Sequence, residues 1–183
     1  MQNARLTEDE PDETLMLRYQ GGDAAAFDLL YARHKGRLFR YFLRQCGDRA
    51  NAEELFQDVW MNLIRARSRY EIEAKFTTYL YTLAHNRLMD FFRKRRIVFV
   101  DADTAEMIAD CKTPEEIAAL REQGARLLHL LEALPAPQRE AFLLREEAGL
   151  GIEEIAAVTG VGKEAAKSRL RYAVQKLREG LRE

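Results

Sequence analysis

The residues in this chain that could do chemistry are arranged to hold nucleic acid rather than to turn over a substrate. His34, His85 and His129 lie far apart in sequence. No HxxxH spacing puts two imidazoles on one helical face, and no carboxylate pair accompanies them, so catalysis by a metal or by acid–base groups finds no support. Cys46 and Cys111 are isolated and form no CxxC pair, which excludes a zinc ribbon and reads as two reduced thiols. Cations and aromatics, by contrast, cluster. Lys75 to Arg96, KFTTYLYTLAHNRLMDFFRKRR, carries six basic residues against one acid. Thr78, Tyr79, Thr82, Asn86 and Arg93 recur there at helical spacing opposite an apolar stripe. Rings that stack on bases, beside cations that hold phosphates, suit single-stranded or melted DNA.

A second cluster closes the chain. Residues 163–183 hold seven Lys and Arg against three Glu. Ile152 to Thr159 is a short apolar-periodic helix, Gly160-Val161-Gly162 is a tight break, and a longer helix begins at Lys163. Helix, glycine-containing turn and second helix is the layout of a DNA-binding helix-turn-helix. Ala166, Leu170, Ala173, Val174, Leu177 and Leu181 make its inward stripe. Lys163, Glu164, Lys167, Ser168 and Arg171 face out at the end that a recognition helix inserts into the major groove. Lysine and arginine can reach phosphate or guanine there, and serine can bond to either.

The elements that must carry these residues are helical throughout. The chain has 183 residues, 47% hydrophobic and 32% charged, with four prolines. A net charge of −1 conceals strong segregation, and local clusters decide contact with nucleic acid. A short helix is expected from Thr14 to Tyr19, ended by Gly21-Gly22. Asp23 caps the next, with Phe27, Leu30, Tyr31, His34, Leu38, Tyr41 and Phe42 on one face, and Gly47-Asp48 ends it. Asn51 followed by Glu54 resembles a capping box. The helix it opens buries Ala52, Leu55, Phe56, Val59 and Leu63, with Trp60 at the edge of the stripe. Its outer face carries Glu54, Gln57, Asp58, Met61 and Asn62, a mixed acidic and apolar stripe suited to a basic partner helix. A third long helix runs from about Phe76 to Arg96.

From Asp101 to Glu122 the composition turns acidic, seven acids against two bases, and contains Thr113-Pro114. A helix after Pro114 fits Glu115 and Glu116 in its first turn. The expected architecture is all-α: two small helical bundles joined by a flexible acidic linker, the second containing the helix-turn-helix. The divisions fall at 1–13 for a frayed tail, 14–98 for the first bundle, 99–122 for the linker and 123–183 for the second bundle. The acidic, polar start is unlike a signal peptide, and apolar runs of about four residues are too short to span a membrane. A cytoplasmic protein is therefore expected.

Three blocks in this order resemble a known family. Asn51 to Trp60, NAEELFQDVW, is similar to the core-polymerase-binding segment of the extracytoplasmic-function (ECF, group IV) sigma factors of bacterial RNA polymerase. Phe76 to Arg96 is similar to their promoter-melting and −10-reading segment. Leu134 to Leu170, LPAPQREAFLLREEAGLGIEEIAAVTGVGKEAAKSRL, resembles their −35-reading segment. The resemblance covers about Leu15 to Leu181.

It implies a transcription initiation factor that is not itself an enzyme and needs no cofactor or metal. Glu54, Gln57, Asp58 and Met61 would meet the clamp helices of the largest polymerase subunit. Phe142 to Glu147 would meet the flap of the second-largest subunit. The loop from Arg69 to Lys75, with Tyr70, would hold a flipped base. Tyr79, Thr82, Asn86 and Arg93 would stand along −10 DNA. Lys163, Lys167, Ser168 and Arg171 would enter the −35 groove. Promoter DNA, core polymerase and an anti-sigma factor are the implied partners. The other reading of the residues is a helix-turn-helix regulator that binds its site alone, as a dimer, without using the Asn51 helix face. The sequence departs from the family pattern at Asn51, where Asp is usual, and at Tyr79, where Trp is common. It departs again at Tyr172 and Val174, where basic residues are frequent, and in the opening of the recognition helix at Gly162 to Ala166.

Overall fold

The computed structural model describes residues 9–98 and 115–182. Within them the chain forms eight α-helices and one short 3-10 turn, Arg67–Arg69. The helices are α1 Asp12–Gln20, α2 Ala24–Cys46, α3 Arg49–Ala66, α4 Phe76–Val98, α5 Glu115–Glu132, α6 Ala136–Glu146, α7 Ile152–Thr159 and α8 Lys163–Arg182. The acidic segment 99–114, with Cys111, lies outside the described residues.

Helix ends follow local chemistry. Asp23 accepts from the Ala25 amide and opens α2. Gly47 closes α2 in the left-handed region at φ 66°, a conformation glycine adopts without a Cβ penalty. The cap of α3 is Asp48 rather than Asn51. Its carboxylate accepts from the Ala50 and Asn51 amides, and α3 starts three residues earlier than the capping-box spacing indicated. An aspartate next to the break reaches the orphan amides first, so Asn51 is already inside the helix. The start of α4 is held from a distance, because the Phe76 amide donates to Glu13 Oε1 of α1 at 2.6 Å.

The first bundle packs α1, α2, α3 and α4 around Leu15, Leu30, Leu38, Phe42, Leu55, Leu63, Phe76, Leu80 and Leu88, all fully buried. Trp60 lies on the core side, edge-on to Tyr31 and Phe27. His34 completes the stripe of α2 and bonds Asp12 through Nε2 at 2.7 Å. Burial raises the Asp12 pKa, but bonds from His34 and Arg33 outweigh it and hold the carboxyl below its usual range.

The second bundle comprises α5 to α8. Its α5 begins at Glu115, as the acidic first turn after Pro114 indicated, so residues 115–122 of the acidic segment are helical. Leu131, Leu134, Ala173 and Leu177 join α5 to α8. Gly180 lets Leu130 lie against the α8 backbone, where a Cβ would come within 2.4 Å of Leu130 Cδ2. Leu181, expected to face inward, is 46% exposed.

The two bundles do not stand apart. One apolar cluster runs from Leu15 of α1 through Leu143 and Leu144 of α6 to Ile155 of α7 and Ala166 of α8. Among the described residues no helix is long and apolar enough to cross a membrane.

Replacing an N-cap acid by Ala costs about 1 kcal/mol, or about 2–4 °C in a chain of this size. Asp48→Ala should lower the melting temperature by that amount, and Asn51→Ala by distinctly less. Calorimetry showing the reverse order would return the cap to Asn51.

Candidate nucleic-acid interface

The basic–aromatic element occupies the loop before α4 and the first half of α4. Arg69, Tyr70, Glu71, Glu73, Ala74, Thr78, Tyr79 and Thr82 line a cleft of about 310 Å³. Tyr79 is half-buried at its edge, with its ring 5.2 Å from that of Tyr70 in an edge-on arrangement. Tyr70 is 4% exposed and lies beneath Tyr79, supporting it rather than offering a face of its own. Burial pushes its phenol up to about 12, and the Glu13 charge adds to this.

Side chains along α4 differ in what they have left to offer. Asn86 is exposed. Thr82 spends its hydroxyl on the Thr78 carbonyl, one turn back, at 2.8 Å. Arg93 pairs with Asp90 at 2.6 Å, an exposed pair of small energetic value that solvent readily replaces. Lys75, 70% exposed, holds Glu154 of α7 at 3.0 Å. Thr78, expected on the open face, is buried, and its hydroxyl points to the same carboxylate at 3.5 Å.

On α3, Glu54, Gln57 and Met61 are exposed as the spacing predicts. Asp58 is half-buried and bonded to the guanidinium of Arg87 on α4, with Nε at 2.6 Å and Nη2 also in contact. Glu54 stands 3.7 Å from the same guanidinium. The acidic stripe is thus tied to the helix that carries Tyr79 and Asn86.

The helix-turn-helix forms as the spacing dictates. Gly160 takes φ 66° at the end of α7. Glu154 bonds the Gly151 amide at 2.7 Å and closes the start of α7. That bond chiefly lowers the Glu154 pKa. Burial opposes it, and Lys75 and Thr78 lower it further. At the head of α8, Lys163 pairs with Glu153 at 2.5 Å. Lys167 and Arg171 are exposed one turn apart, with Ser168 half-buried beside them. The Arg171 guanidinium lies 5.2 Å from the centre of the Tyr172 ring, within the range of a cation–π contact. These residues share one side of α8 with a groove of about 600 Å³, floored by Ile152, Leu170 and Val174.

Cross-bundle polar contacts are the feature the sequence reading missed. Glu140 of α6 is 5% exposed and takes Tyr41 Oη at 2.8 Å and His85 Nδ1 at 2.6 Å. Glu147, equally buried, takes Arg40 at 3.0 Å and Arg44 at 2.5 Å. The signal was present: Glu140 and Glu147 sit seven apart, in line with Leu143 and Leu144, on the face that should be apolar. Among the described residues no group of three or more His, Cys, Asp and Glu could hold a metal ion. Burial pushes the Cys46 thiol up to about 12, which keeps it protonated and a poor nucleophile.

Comparison with known proteins agrees with this organisation. The Sigma-70 region 2 profile matches residues 30–97, and the Sigma-70 region 4 profile matches residues 124–177. The chain is 36% identical to the RNA polymerase sigma factor CarQ of Myxococcus xanthus over 171 residues, covering 92% of this chain and 96% of that protein. It is 31% identical to the ECF RNA polymerase sigma factor SigE of Mycolicibacterium smegmatis, covering 94% of this chain and 69% of that one. Its fold resembles that of the sigma factor RpoE of Bartonella quintana, solved in complex with the anti-sigma factor NepR. That likeness has a TM-score of 0.72 and 26% identity, and it covers 85% of this chain and 96% of that one. With both sigma regions present and relatives aligned along nearly its whole length, the chain belongs to the ECF sigma factors, the alternative sigma factors that direct transcription initiation by bacterial RNA polymerase.

Proposed function

We propose that the chain works in the cytoplasm as a non-catalytic subunit, carrying core polymerase to promoters whose −35 and −10 elements it reads with α8 and α4. The observation that carries this reading is the presence on one chain of two separate DNA-type surfaces, the Tyr79–Asn86 face and the Lys167–Arg171 face. A regulator that binds a single site has no use for the first. The exposed Glu54, Gln57 and Met61, with Asp58 bound to Arg87, are the proposed contact with the clamp helices, and the Phe142 to Glu147 region is the proposed contact with the flap. Catalysis then belongs to the polymerase. An anti-sigma factor is the proposed regulator, supported by the NepR-bound state of the Bartonella quintana relative.

Run-off transcription tests the whole reading. Purified chain added to core polymerase should yield discrete transcripts from a subset of genomic promoters. Core polymerase that gives the same products with and without the chain would overturn it.

At α4, Tyr79→Ala and Asn86→Ala should reduce open-complex formation more than initial promoter binding. Stacking on one ring is worth about 1–3 kcal/mol per base, about tenfold or more in the opening equilibrium. Tyr79→Phe keeps the ring and should keep opening. Permanganate reactivity of promoter thymines reports this directly, and wild-type reactivity in Tyr79→Ala would leave the ring a packing role alone.

At α8, Lys167→Ala should weaken all promoters alike and reduce the salt slope of binding by about 0.9 if it neutralises one phosphate. Arg171→Ala should cost about 1–3 kcal/mol and relax preference at one −35 position if it reads a base. Transcription from a promoter library separates the two outcomes. Unchanged output and unchanged preference in both variants would move the reading head elsewhere.

A further inference from the structure

The outward face of α8 carries one acid among its cations. Glu164 stands three and four residues before Lys167 and Ser168 and seven before Arg171, so the four share a side of the helix. It is exposed, in the first turn of α8. Its neighbours Lys163 and Glu153 pair with each other, and Glu164 makes no hydrogen bond or ion pair among the described residues. It lies within Gly162 to Ala166, where the sequence departs from the family pattern, so its role is particular to this chain.

An acid at this place is costly near DNA. The duplex carries one negative charge per about 1.7 Å of its axis, so a carboxylate at the leading end of the helix opposes binding wherever it meets no donor. The major groove offers few donors. Guanine presents the acceptors N7 and O6, and thymine presents the acceptor O4 and a methyl group. Adenine presents the N6 amino donor beside the acceptor N7. Cytosine presents its N4 amino donor alone. A carboxylate has acceptors only, so cytosine suits it best, adenine suits it in part, and guanine and thymine repel it. Lys167 and Arg171 are donors and match phosphate or guanine instead. Arg171 lies about 10 Å further along the helix axis, about three base-pair steps, so it and Glu164 address different pairs.

We propose that Glu164 is a base-selecting residue, which accepts from the N4 amino group of a cytosine in the −35 element and rejects guanine and thymine at that position. The inference deepens the −35 reading given above and rests on it for the entry of α8 into the major groove. A second role of the same carboxylate is separable. As an acid in the first turn it complements the helix dipole, which affects stability and not the choice of duplex.

The test is selection from duplex DNA randomised over the −35 element. It is run twice, on the full-length chain alone and on the chain assembled with core polymerase, and the enriched sequences are read. The unaltered chain should enrich cytosine at one position. Glu164→Gln keeps the length of the side chain and can pair with adenine N6 and N7, so preference at that position should move from cytosine to adenine by at least about fivefold while the others hold. Glu164→Ala should leave that position without preference and bind all duplexes more tightly, because a negative charge beside phosphate is gone. Arg171→Ala should relax a different position. Thermal melting reads the helix role separately. A small loss of stability in both Glu164 variants with base preference unmoved would overturn the proposal, as would enrichment of guanine or thymine where Glu164→Ala acts, or no preference in either arm. A shift from cytosine to adenine on the chain alone, with no run-off product, rejects the sigma reading alone. Discrete run-off products with no shift in either arm reject the role of Glu164 alone.

Discussion

A carboxylate taken out of water must be met by donors, and the donors for Glu140 of α6 and for Glu147, which caps its end, come from α2 and α4. That requirement fixes the relation between the two halves of the chain. Apolar contact alone would let α6 slide along α2, because hydrophobic burial is non-directional. The buried acids allow one register, in which Tyr41, His85, Arg40 and Arg44 are all satisfied together. Long α2, 23 residues, serves as the common wall. One of its faces closes the first core with Leu30, Leu38 and Phe42, and the side carrying Arg40, Tyr41 and Arg44 receives the second bundle.

The same economy recurs at the proposed binding surfaces. Asp58 is held by Arg87, Lys75 by Glu154, Lys163 by Glu153 and Arg93 by Asp90. Each of these charges has an internal partner that an external one would have to displace. Exposed pairs of this kind contribute little to stability, so exchange is cheap and depends on what arrives. Lys167, exposed at the head of the recognition helix, starts with no such exchange to make among the pairs described. The link between Asp58 and Arg87 also joins the proposed polymerase-facing helix to the proposed melting helix, so a partner that engages one carboxylate alters the restraint on α4.

Much of this was legible in the sequence because it is local. Periodicity marked the α2 and α3 faces and the start of α4 at Phe76. The Gly160-Val161-Gly162 break marked the turn, and the α7 and α8 limits followed from it. What escaped was non-local or decided by competition. Asp48 displaced Asn51 as the cap because both can serve and the nearer one wins. Tyr70 looked like a surface ring in a polar loop, but Gln20 reaches its carbonyl and folds that loop onto α1, which buries it. Thr78 shared a helical face with Tyr79 and Asn86, yet α7 covers it. No spacing rule within α4 could reveal a neighbour 76 residues away. Glu140 and Glu147 were the readable exception, two acids standing in an apolar stripe.

Glu153 and Glu154, adjacent on α7, each neutralise a cation from a different proposed DNA surface, Lys163 and Lys75 respectively. Ionic strength therefore acts on these two cations in two opposed ways. Added salt screens both largely exposed pairs, which frees Lys163 and Lys75 for other anions. Added salt also raises the cost of displacing condensed counterions from a nucleic acid, which weakens whatever contact the freed cations make. The product of a rising and a falling function has a maximum, so the share of phosphate binding carried by these two lysines peaks at an intermediate ionic strength, whereas that of an unpaired lysine declines throughout.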